Sequence, residues 1–474
     1  MFHSETEDVY GFVSGGIADG PFPGLGQKRR RSPNFRNNKI LKLAIGLSDG
    51  MTMGCGGATT LRYLLRGFTP DIPQRTGQDV MARMLMIAPA PVIETEGRVR
   101  LDVKFVEGMR VQQAHWPSRI TCLLRRGAAA IPFGRDYDAD DLPFDLMLLE
   151  PDEPVAARHL SGHDLIYAGA DDFRCLGLTD LLTPGQKVVY VIEYTDETRR
   201  QIMNLDRNRG PVSRLKGRVW LMQQERRRRR AFRAAQGLQS NGYPAHDLYG
   251  PMCRDSLLYL DGRMTPDLFA TEAEMRARET LRAAGGPLRL VYSGRLETMK
   301  GAQDLLPVAR RLIERGVDFT LDIFGTGSLE AEIAASIRSL PVPERVRLRG
   351  VVDFETELVP FTRQNADIFL GCHRQSDPSC TYVEAMGCGV AVASYDNRMW
   401  QRLNGEAQAG WGAPLGNVLA LADRIADVAH DPGAITRCSR NAWTFSQAHG
   451  FLPEFRRRMG HLARIAGVSL QPVA

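Results

Sequence analysis

The stretch LRLVYSGRLETMKGAQDLLPVARRLIERGVDFTLDIFGTGS, residues 288–328, decides the fold. It opens with LRLVYSG (288–294), a short apolar run that predicts a strand buried on both faces. GAQDLLPVARRLIERG (301–316) has apolar residues at helical spacing and ends on glycine, which predicts an amphipathic helix. DFTLDIFG (318–325) predicts a second buried strand. A strand, a helix and a strand in succession predict a βαβ unit with parallel strands.

The same alternation continues towards the C-terminus. Further strands are predicted at VRLRGVV (346–352), ADIFLGCH (366–373) and VAVASYD (390–396), and helices at SLEAEIAASIRSL (328–340), TYVEAMGCG (381–389) and GNVLALADRIADVAHD (416–431). Strands and helices in this order are typical of a doubly wound parallel sheet. We therefore expect an α/β fold for this half of the chain.

The N-terminal half has a similar but less regular pattern. Its first predicted strand is ILKLAIGLS (40–48), which a glycine-rich turn and a helix follow. Other strands are predicted at VRLDVKFV (99–106), DLMLLEP (145–151), DLIYAG (164–169) and KVVYVIEY (187–194), with a helix through much of 212–238. This layout predicts a second Rossmann-like domain.

Composition excludes several classes of protein. The 474 residues are 43% hydrophobic and 24% charged, which predicts two or three folded domains rather than disorder. The acidic start MFHSETEDVY lacks an apolar core, so it is not expected to be a signal peptide. Because no stretch approaches ~20 apolar residues, any membrane association is expected to be peripheral. The eight cysteines show no CxxC pair, and we expect reduced thiols in a cytoplasmic protein.

The net charge of +6 is mild, but basic residues form two runs. Lys28–Arg31 is expected to be a solvated part of a tail. Arg226–Arg230 lies on a predicted helix near Trp220, Leu221 and Phe232. It is either a solvated face or a surface that contacts phosphates or an anionic membrane, and the sequence leaves both interpretations open.

Charged and small residues follow the predicted strands of the second half. Gly294, Arg295 and Lys300 follow the first strand, and the two cations there suit a diphosphate. Gly325 and Gly327 follow the second strand, where missing side chains let a ligand approach the backbone, although a tight turn would also explain them.

The end of the fourth strand carries a further set of candidates. A helix begins there with Cys380, Thr381 and Tyr382, and its free N–H groups can hold a phosphate. Glu384, one turn into that helix, is placed to accept hydrogen bonds from ribose hydroxyls. Because ligands of parallel sheets bind at the carboxyl ends of the strands, these groups predict a nucleotide site.

Residues 288–430 contain five motifs: YSGRLETMKG, DIFGTGSL, RLRGVV, ADIFL and TYVEAMGCGVAVAS. Together these motifs resemble the donor-binding domain of family-4 glycosyltransferases. These are retaining enzymes of the GT-B architecture. The resemblance implies two Rossmann-like domains facing a cleft, with the nucleotide sugar held mostly by the C-terminal one. It implies a flexible extension (1–37), an acceptor domain (38–265), a nucleotide-sugar domain (285–444) and a C-terminal helix crossing back to the first domain (445–474).

The resemblance also implies roles for single residues. Arg295 and Lys300 would hold the donor diphosphate, and Glu384 the ribose. The family usually has a Glu eight positions before Glu384 that touches the donor sugar. Ser376 stands there in this chain, and Asp377 follows it. We expect Asp377 to take over part of that role, and the replacement leaves a loss of activity open.

The first domain departs from the family as well. Many relatives end a strand there with a His near the reacting centre, whereas the comparable strand here ends with Glu150. Gly56 and Gly57 are candidates for letting the acceptor or the diphosphate approach, and a helix-packing turn is the alternative. His115, His163 and His373 are predicted to have core or surface roles.

We expect no metal and no other cofactor. Asp136 and Asp138 form a DxD pattern of the kind that holds a metal in another glycosyltransferase class. No phosphate loop or helix terminus accompanies it, so a solvated acidic loop is the favoured interpretation.

These inferences predict transfer of a sugar from a nucleoside diphosphate sugar to a glycan or lipid-linked acceptor, with retention. The resemblance suggests surface polysaccharide or glycolipid assembly, at the inner face of the cytoplasmic membrane. An epimerase or phosphorylase with the GT-B fold would use a similar cleft. A polyanion-binding protein without catalysis would use Arg226–Arg230, although no nucleic-acid motif accompanies them.

Overall fold

The computed structural model describes residues 81–95, 97–127, 131, 134–205, 210–376 and 380–471. The predicted extension 1–37, the predicted strand at 40–48 and the candidates Gly56, Gly57 and Asp377 lie outside these residues.

The strands are β1 (Met84–Thr95), β2 (Arg98–Asp102), β3 (Thr121–Arg126), β4 (Gly134–Asp138), β5 (Asp145–Leu149), β6 (Leu165–Gly169), β7 (Lys187–Ile192), β8 (Gly237–Asn241), β9 (Ser256–Tyr259), β10 (Leu288–Ser293), β11 (Phe319–Phe324), β12 (Val346–Gly350), β13 (Ile368–Gly371), β14 (Ala391–Tyr395) and β15 (Gly410–Ala413).

The α-helices are α1 (Val103–His115), α2 (Ala157–Leu160), α3 (Asp196–Leu205), α4 (Pro211–Ala234), α5 (Tyr243–Tyr249), α6 (Glu272–Ala283), α7 (Leu305–Glu314), α8 (Glu330–Arg338), α9 (Val359–Asn365), α10 (Cys380–Gly387), α11 (Arg398–Ala407), α12 (Val418–Ala429), α13 (Pro432–Ala448) and α14 (Phe451–Ala466).

The first sheet has a parallel core in the order β5-β3-β1-β6-β7-β8-β9. The far end of the long strand β1 pairs antiparallel with β2, and β2 pairs antiparallel with β4. The first described strand therefore lies in the middle of the sheet, and the strand order reverses between β1 and β6, as in a doubly wound fold.

The second sheet is parallel throughout, in the order β12-β11-β10-β13-β14-β15. The strand order reverses between β10 and β13. Ligands of such sheets bind in the crevice outside the carboxyl ends of the strands at this reversal. The loops that follow β10 and β13 are therefore the first place to look for a ligand site.

Both faces of the second sheet are covered. Leu305, Val308 and Leu312 of α7 pack on one face, in a core that includes Leu290 and Leu321 of the strands. On the other face, buried side chains of the strands pack with those of α11: Val291, Phe369, Val392, Trp400 and Leu403. Burial on both faces explains why these strands are continuous apolar runs.

The last helix, α14, packs against β7, β8 and β9 of the first sheet. Its buried Arg458 donates to the Tyr167 hydroxyl at 2.9 Å, and the Gln239 amide donates to the Arg458 carbonyl at 2.9 Å. Lys187 donates to the carbonyl of Ile465 at 2.6 Å. The end of the described chain thus completes the first sheet, within one compact unit that includes Thr76–Gln471.

The predicted α/β class is confirmed, and so are the strands of the second half. The prediction of a single strand at 99–106 is wrong. The strand ends at Asp102, whose carboxylate accepts the backbone N–H of Phe105 at 3.2 Å, and α1 begins at Val103. The helix predicted through 212–238 ends at Ala234, because the unpredicted strand β8 begins at Gly237. Among the described residues, no helix combines the length and apolarity needed to cross a membrane.

Candidate functional site at the strand ends

The loop after β10 presses against the end of β13. Gly301 has a φ of 71°, and a Cβ there would lie 1.7 Å from the carbonyl oxygen of Cys372. A side chain is therefore excluded at this position. Lys300, only 3% exposed, is consequently held beside the residue that follows Cys372.

That residue, His373, is the least expected member of the site. Its side chain is 1% exposed, and neither ring nitrogen has a hydrogen-bond partner among the described residues. Burial first, and then the charges of Lys300 and Arg295, lower the pKa of His373 well below its usual value. The imidazole is therefore neutral and lies within electrostatic range of Lys300 and Arg295. The burial of His373 agrees with its predicted core role. However, buried polar atoms normally form hydrogen bonds, so packing alone does not explain two ring nitrogens without a described partner.

The loop around His373 is fixed by Asn397. The Asn397 amide donates to the His373 carbonyl at 3.2 Å and to the Tyr382 hydroxyl oxygen at 3.1 Å. Tyr382 in turn shares a hydrogen bond of 2.7 Å with Ser394, and its ring meets the His373 ring edge-on at 5.1 Å. These contacts hold the imidazole in one orientation before any ligand arrives.

Arg374, the next residue, has its charge already matched. Its guanidinium donates two bonds of 2.7 Å to the buried Asp304, which also accepts from the Tyr395 hydroxyl at 3.1 Å. Arg374 therefore stabilises the loop through its ion pair with Asp304.

Gly325 and Gly327 have a structural reason to be glycine. A Cβ on Gly325 would lie 2.0 Å from the Gly294 carbonyl oxygen, and a Cβ on Gly327 would lie 2.6 Å from the Leu296 carbonyl oxygen. The loops after β10 and β11 thus pack backbone against backbone. The predicted donor-binding role of these glycines stays a prediction.

Glu384 is buried in α10 and is held by an arginine that sequence reasoning missed. Arg263 donates to its two carboxylate oxygens at 2.8 and 3.0 Å, and the same guanidinium lies 3.7 Å from the centroid of the Phe354 ring. Each carboxylate oxygen keeps a second lone pair, so the pair leaves room for ribose hydroxyls. The predicted ribose role of Glu384 stays a prediction.

The first sheet reaches the site through α3. The backbone N–H of Ser376 donates to the Gln201 side chain at 3.3 Å, and Thr198 donates to the Ser376 carbonyl at 3.4 Å. The same helix packs against the turn Thr298–Lys300. Both sheets therefore meet at the loops that hold the candidate residues.

Asp171 secures the position of α3. Its carboxylate accepts the backbone N–H groups of Glu193 and Tyr194 after β7, at 2.9 and 3.2 Å, and forms an ion pair with the buried Arg199 of α3. Sequence reasoning missed this group because its members belong to three segments.

Glu150 lies apart from this group. It follows the edge strand β5, is exposed, and pairs with Arg126 at 2.7 Å. No hydrogen bond among the described residues joins Glu150 to the residues at the ends of β10 and β13. Its predicted role near the reacting centre stays a prediction.

Asp136 and Asp138 lie on β4 rather than in a loop. They face Arg100 and Arg98 of β2, at 3.2 and 3.1 Å. Over the described part of the chain, no group of three or more His, Cys, Asp and Glu side chains could hold a metal ion. The described cysteines are free thiols: Cys122, Cys175, Cys253, Cys372, Cys380, Cys388 and Cys438.

The run Arg226–Arg230 does not act as one surface. Arg228 is buried, pairs with Glu225 at 3.1 Å and donates to the Ala170 carbonyl at 3.2 Å. Arg229 also pairs with Glu225, at 2.7 Å. Leu221 and Phe232, expected near a membrane surface, are buried in the protein core instead. Helical periodicity explains the split, because positions 221, 225, 228 and 232 share one face.

Comparison with known proteins finds relatives for the part of the chain that contains the second sheet. Residues 274–444 match the family model described as "Glycosyl transferases group 1". The chain is similar to WcaL of Salmonella typhimurium, a putative colanic acid biosynthesis glycosyltransferase, at 26% identity over 31% of this chain and 37% of WcaL. It is similar to AmsK of Erwinia amylovora, an amylovoran biosynthesis glycosyltransferase, at 31% identity over 29% of this chain and 34% of AmsK. The match thus covers little more than a third of either relative.

Solved structures show the same fold. HepE of Anabaena, in complex with UDP, superposes with a TM-score of 0.54 at 14% identity, over 81% of this chain and 100% of that chain. Sucrose-phosphate synthase of Thermosynechococcus elongatus gives a TM-score of 0.55 at 16% identity, over 81% and 98%. The predicted GT-B architecture of two Rossmann-like domains is therefore confirmed.

Proposed function

We propose that the chain is a glycosyltransferase that moves a sugar from a nucleoside diphosphate sugar to an acceptor with retention of configuration, as in family 4. The observation that carries the proposal is the group formed by Arg295, Lys300 and His373 at the strand-order reversal of the second sheet. Two cations and an imidazole with unused nitrogens suit a diphosphate.

In the proposed reaction, the bond between the anomeric carbon and the diphosphate breaks as the acceptor hydroxyl attacks from the same face. Arg295, Lys300 and the N–H groups at the start of α10 stabilise the negative charge on the leaving diphosphate. The leaving phosphate takes the acceptor proton, so the chain supplies no dedicated base. Because two cations already face the diphosphate, we propose that the reaction needs no metal.

The comparisons support a choice of donor and context. HepE has been crystallised with UDP and with UDP-glucose, so UDP sugars are the first donors to test. WcaL and AmsK are named for colanic acid and amylovoran biosynthesis. We propose a glycan or lipid-linked acceptor in bacterial surface polysaccharide assembly, with the enzyme acting at the cytoplasmic face of the membrane.

The proposal is tested in two stages with the full chain. Nucleoside diphosphates are first screened by thermal shift, because a ligand at 100 times its Kd stabilises by about 2.7 kcal/mol. Sugar release from the matching donor is then followed with and without lipid-linked acceptors, and the anomeric configuration of the product is read by NMR. No shift with any nucleotide would contradict the proposal. An altered sugar formed without acceptor would favour the epimerase instead.

Asp377 offers a sharper test of the altered loop. We propose that its carboxylate contacts the donor sugar in place of the missing Glu at Ser376. Asp377→Asn should then leave affinity for the bare nucleoside diphosphate unchanged and lower kcat, because a contact strengthened in the transition state appears in turnover. Transfer at the parent rate would leave Asp377 as a turn residue and make Glu150 the next candidate to test.

A further inference from the structure

One face of α4 carries side chains that are exposed to solvent. The positions recur every three or four residues and therefore form one stripe along the helix. Here the "outward stripe" means Val212, Leu215, Val219, Met222, Arg226, Arg230 and Arg233. Its first four members are apolar and are exposed by 68, 63, 43 and 49%, and its last three are exposed arginines.

The buried residues on the opposite face of α4 show which way the outward stripe points. Leu221, Glu225, Arg228, Ala231 and Phe232 are buried in the first domain. Because these positions lie on the far side of the helix, the outward stripe points away from the protein core. The first half of α4 therefore differs from an ordinary surface helix, whose apolar residues face inwards, because four of its apolar residues face outwards.

The exposed charged residues of α4 itself have one sign. The only acidic residue of α4, Glu225, is buried between Arg228 and Arg229. Lys216, Arg218 and Arg227 are exposed beside the stripe. Arg230 meets the exposed Asp180 at 3.3 Å, an ion pair of little energetic weight. The exposed part of the helix is thus apolar in its first half and cationic in its second.

We propose that the outward stripe binds the interface of an anionic membrane, with its apolar half in the headgroup region and its arginines on lipid phosphates. An in-plane helix with apolar and basic residues on its outer face has the chemistry that such a surface recognises. A second copy of the chain fits less well, because two stripes would bring like charges together. The proposal does not depend on the proposed reaction.

The test uses the full chain and vesicles of phosphatidylcholine, with or without phosphatidylglycerol, at low and high salt. We expect binding only to the anionic vesicles and a marked loss in high salt. Leu215→Ser with Val219→Ser should weaken the partition coefficient roughly tenfold. Arg226→Gln, Arg230→Gln and Arg233→Gln should each weaken it roughly fivefold at low salt.

Matched variants control for general surface effects. Val351→Ser with Leu419→Ser removes equally exposed apolar groups of the second domain, and Arg338→Gln with Arg437→Gln removes exposed charges there. Both pairs should bind vesicles like the parent chain.

Equal binding to both kinds of vesicle would overturn the proposal, and so would equal losses in the control pairs. A dimer in solution that the Leu215→Ser, Val219→Ser chain fails to form would assign the stripe to self-association instead. The thermal shift with nucleotide is measured on every variant and shows whether the variant is folded. It also distinguishes a failure of the membrane proposal from a failure of the proposed reaction.

Discussion

Two regions of the described part of the chain carry clustered positive charge, and they are built in opposite ways. Arg295 and Lys300 come from one loop and meet His373 from a distant one, in a buried site fixed by backbone packing. The five arginines of Arg226–Arg230 are consecutive, yet the helix sends them to different surroundings. Proximity in the sequence is therefore a poor guide to shared surroundings, whereas common position at strand ends did bring distant residues together.

The strongest test of this comparison separates two neighbours in the arginine run. Arg228→Ala should lower the free energy of unfolding by about 3 kcal/mol, because it leaves Glu225 buried with one partner fewer. Arg227→Ala, at an exposed position one residue away, should change it by less than about 0.5 kcal/mol. Chemical denaturation of both variants measures the difference. Equal effects would mean that the run behaves as one surface after all.

The second test asks whether Arg295 and Lys300 bind a diphosphate. Arg295→Ala and Lys300→Ala should each weaken nucleoside diphosphate binding by about 1.5–3 kcal/mol, the value of a charged hydrogen bond. Calorimetric titration measures the affinity. Arg310→Ala, at an exposed position on α7, is the matched control and should bind like the parent chain. Unchanged affinity in both site variants would show that the diphosphate does not bind at this location.

A smaller effect distinguishes ribose binding from a purely structural role of Glu384. Glu384→Gln should weaken binding of a ribonucleoside diphosphate by about 1–1.5 kcal/mol and leave a 2′,3′-dideoxy analogue unaffected. If Glu384 has only a structural role through Arg263, the substitution should weaken the binding of both ligands equally. The ratio of the two dissociation constants is the measurement, and a ratio unchanged by the substitution would contradict the ribose contact.

The smallest effect concerns pH. Since the folded chain holds the pKa of His373 well below about 6.5, the unfolded chain binds more protons and stability falls as pH drops below that value. His373→Gln should reduce the loss of unfolding free energy between pH 7 and pH 5.5 by about 1 kcal/mol. Urea unfolding at both pH values checks this. His430→Gln, at an exposed position, should leave the loss as it is.

Five of the six strands of the second sheet were predictable from the sequence because most of them are short apolar runs, whereas the short strand β15 was not predicted. The strand β1 was not, since Pro89 and Pro91 interrupt it, and its pairing with β3 shifts register between Ile87 and Pro91. The polar strand β8 was missed as well, because Gln239 is buried there for its hydrogen bonds rather than for its apolarity.

The candidate site was predictable in outline only. The positions of Arg295 and Lys300 followed from their place after a strand. The environment of His373 did not, because it depends on loops that come together only when the sheet forms. The Arg263–Glu384 pair was equally hidden, since the arginine lies outside every motif. The burial of Arg228 was within reach, because its spacing from Leu221 and Phe232 is helical.

The contact of α14 with the first sheet has a consequence for synthesis on the ribosome. The described strands of that sheet are complete at Tyr259, but their covering helix begins at Phe451, about 190 residues later. At ~5–20 residues per second, the ribosome needs roughly 10–40 s to make that interval. During this time the hydroxyl of Tyr167 and the amide of Gln239 lack their partners on α14, so the first domain cannot reach its final form before α14 has been made.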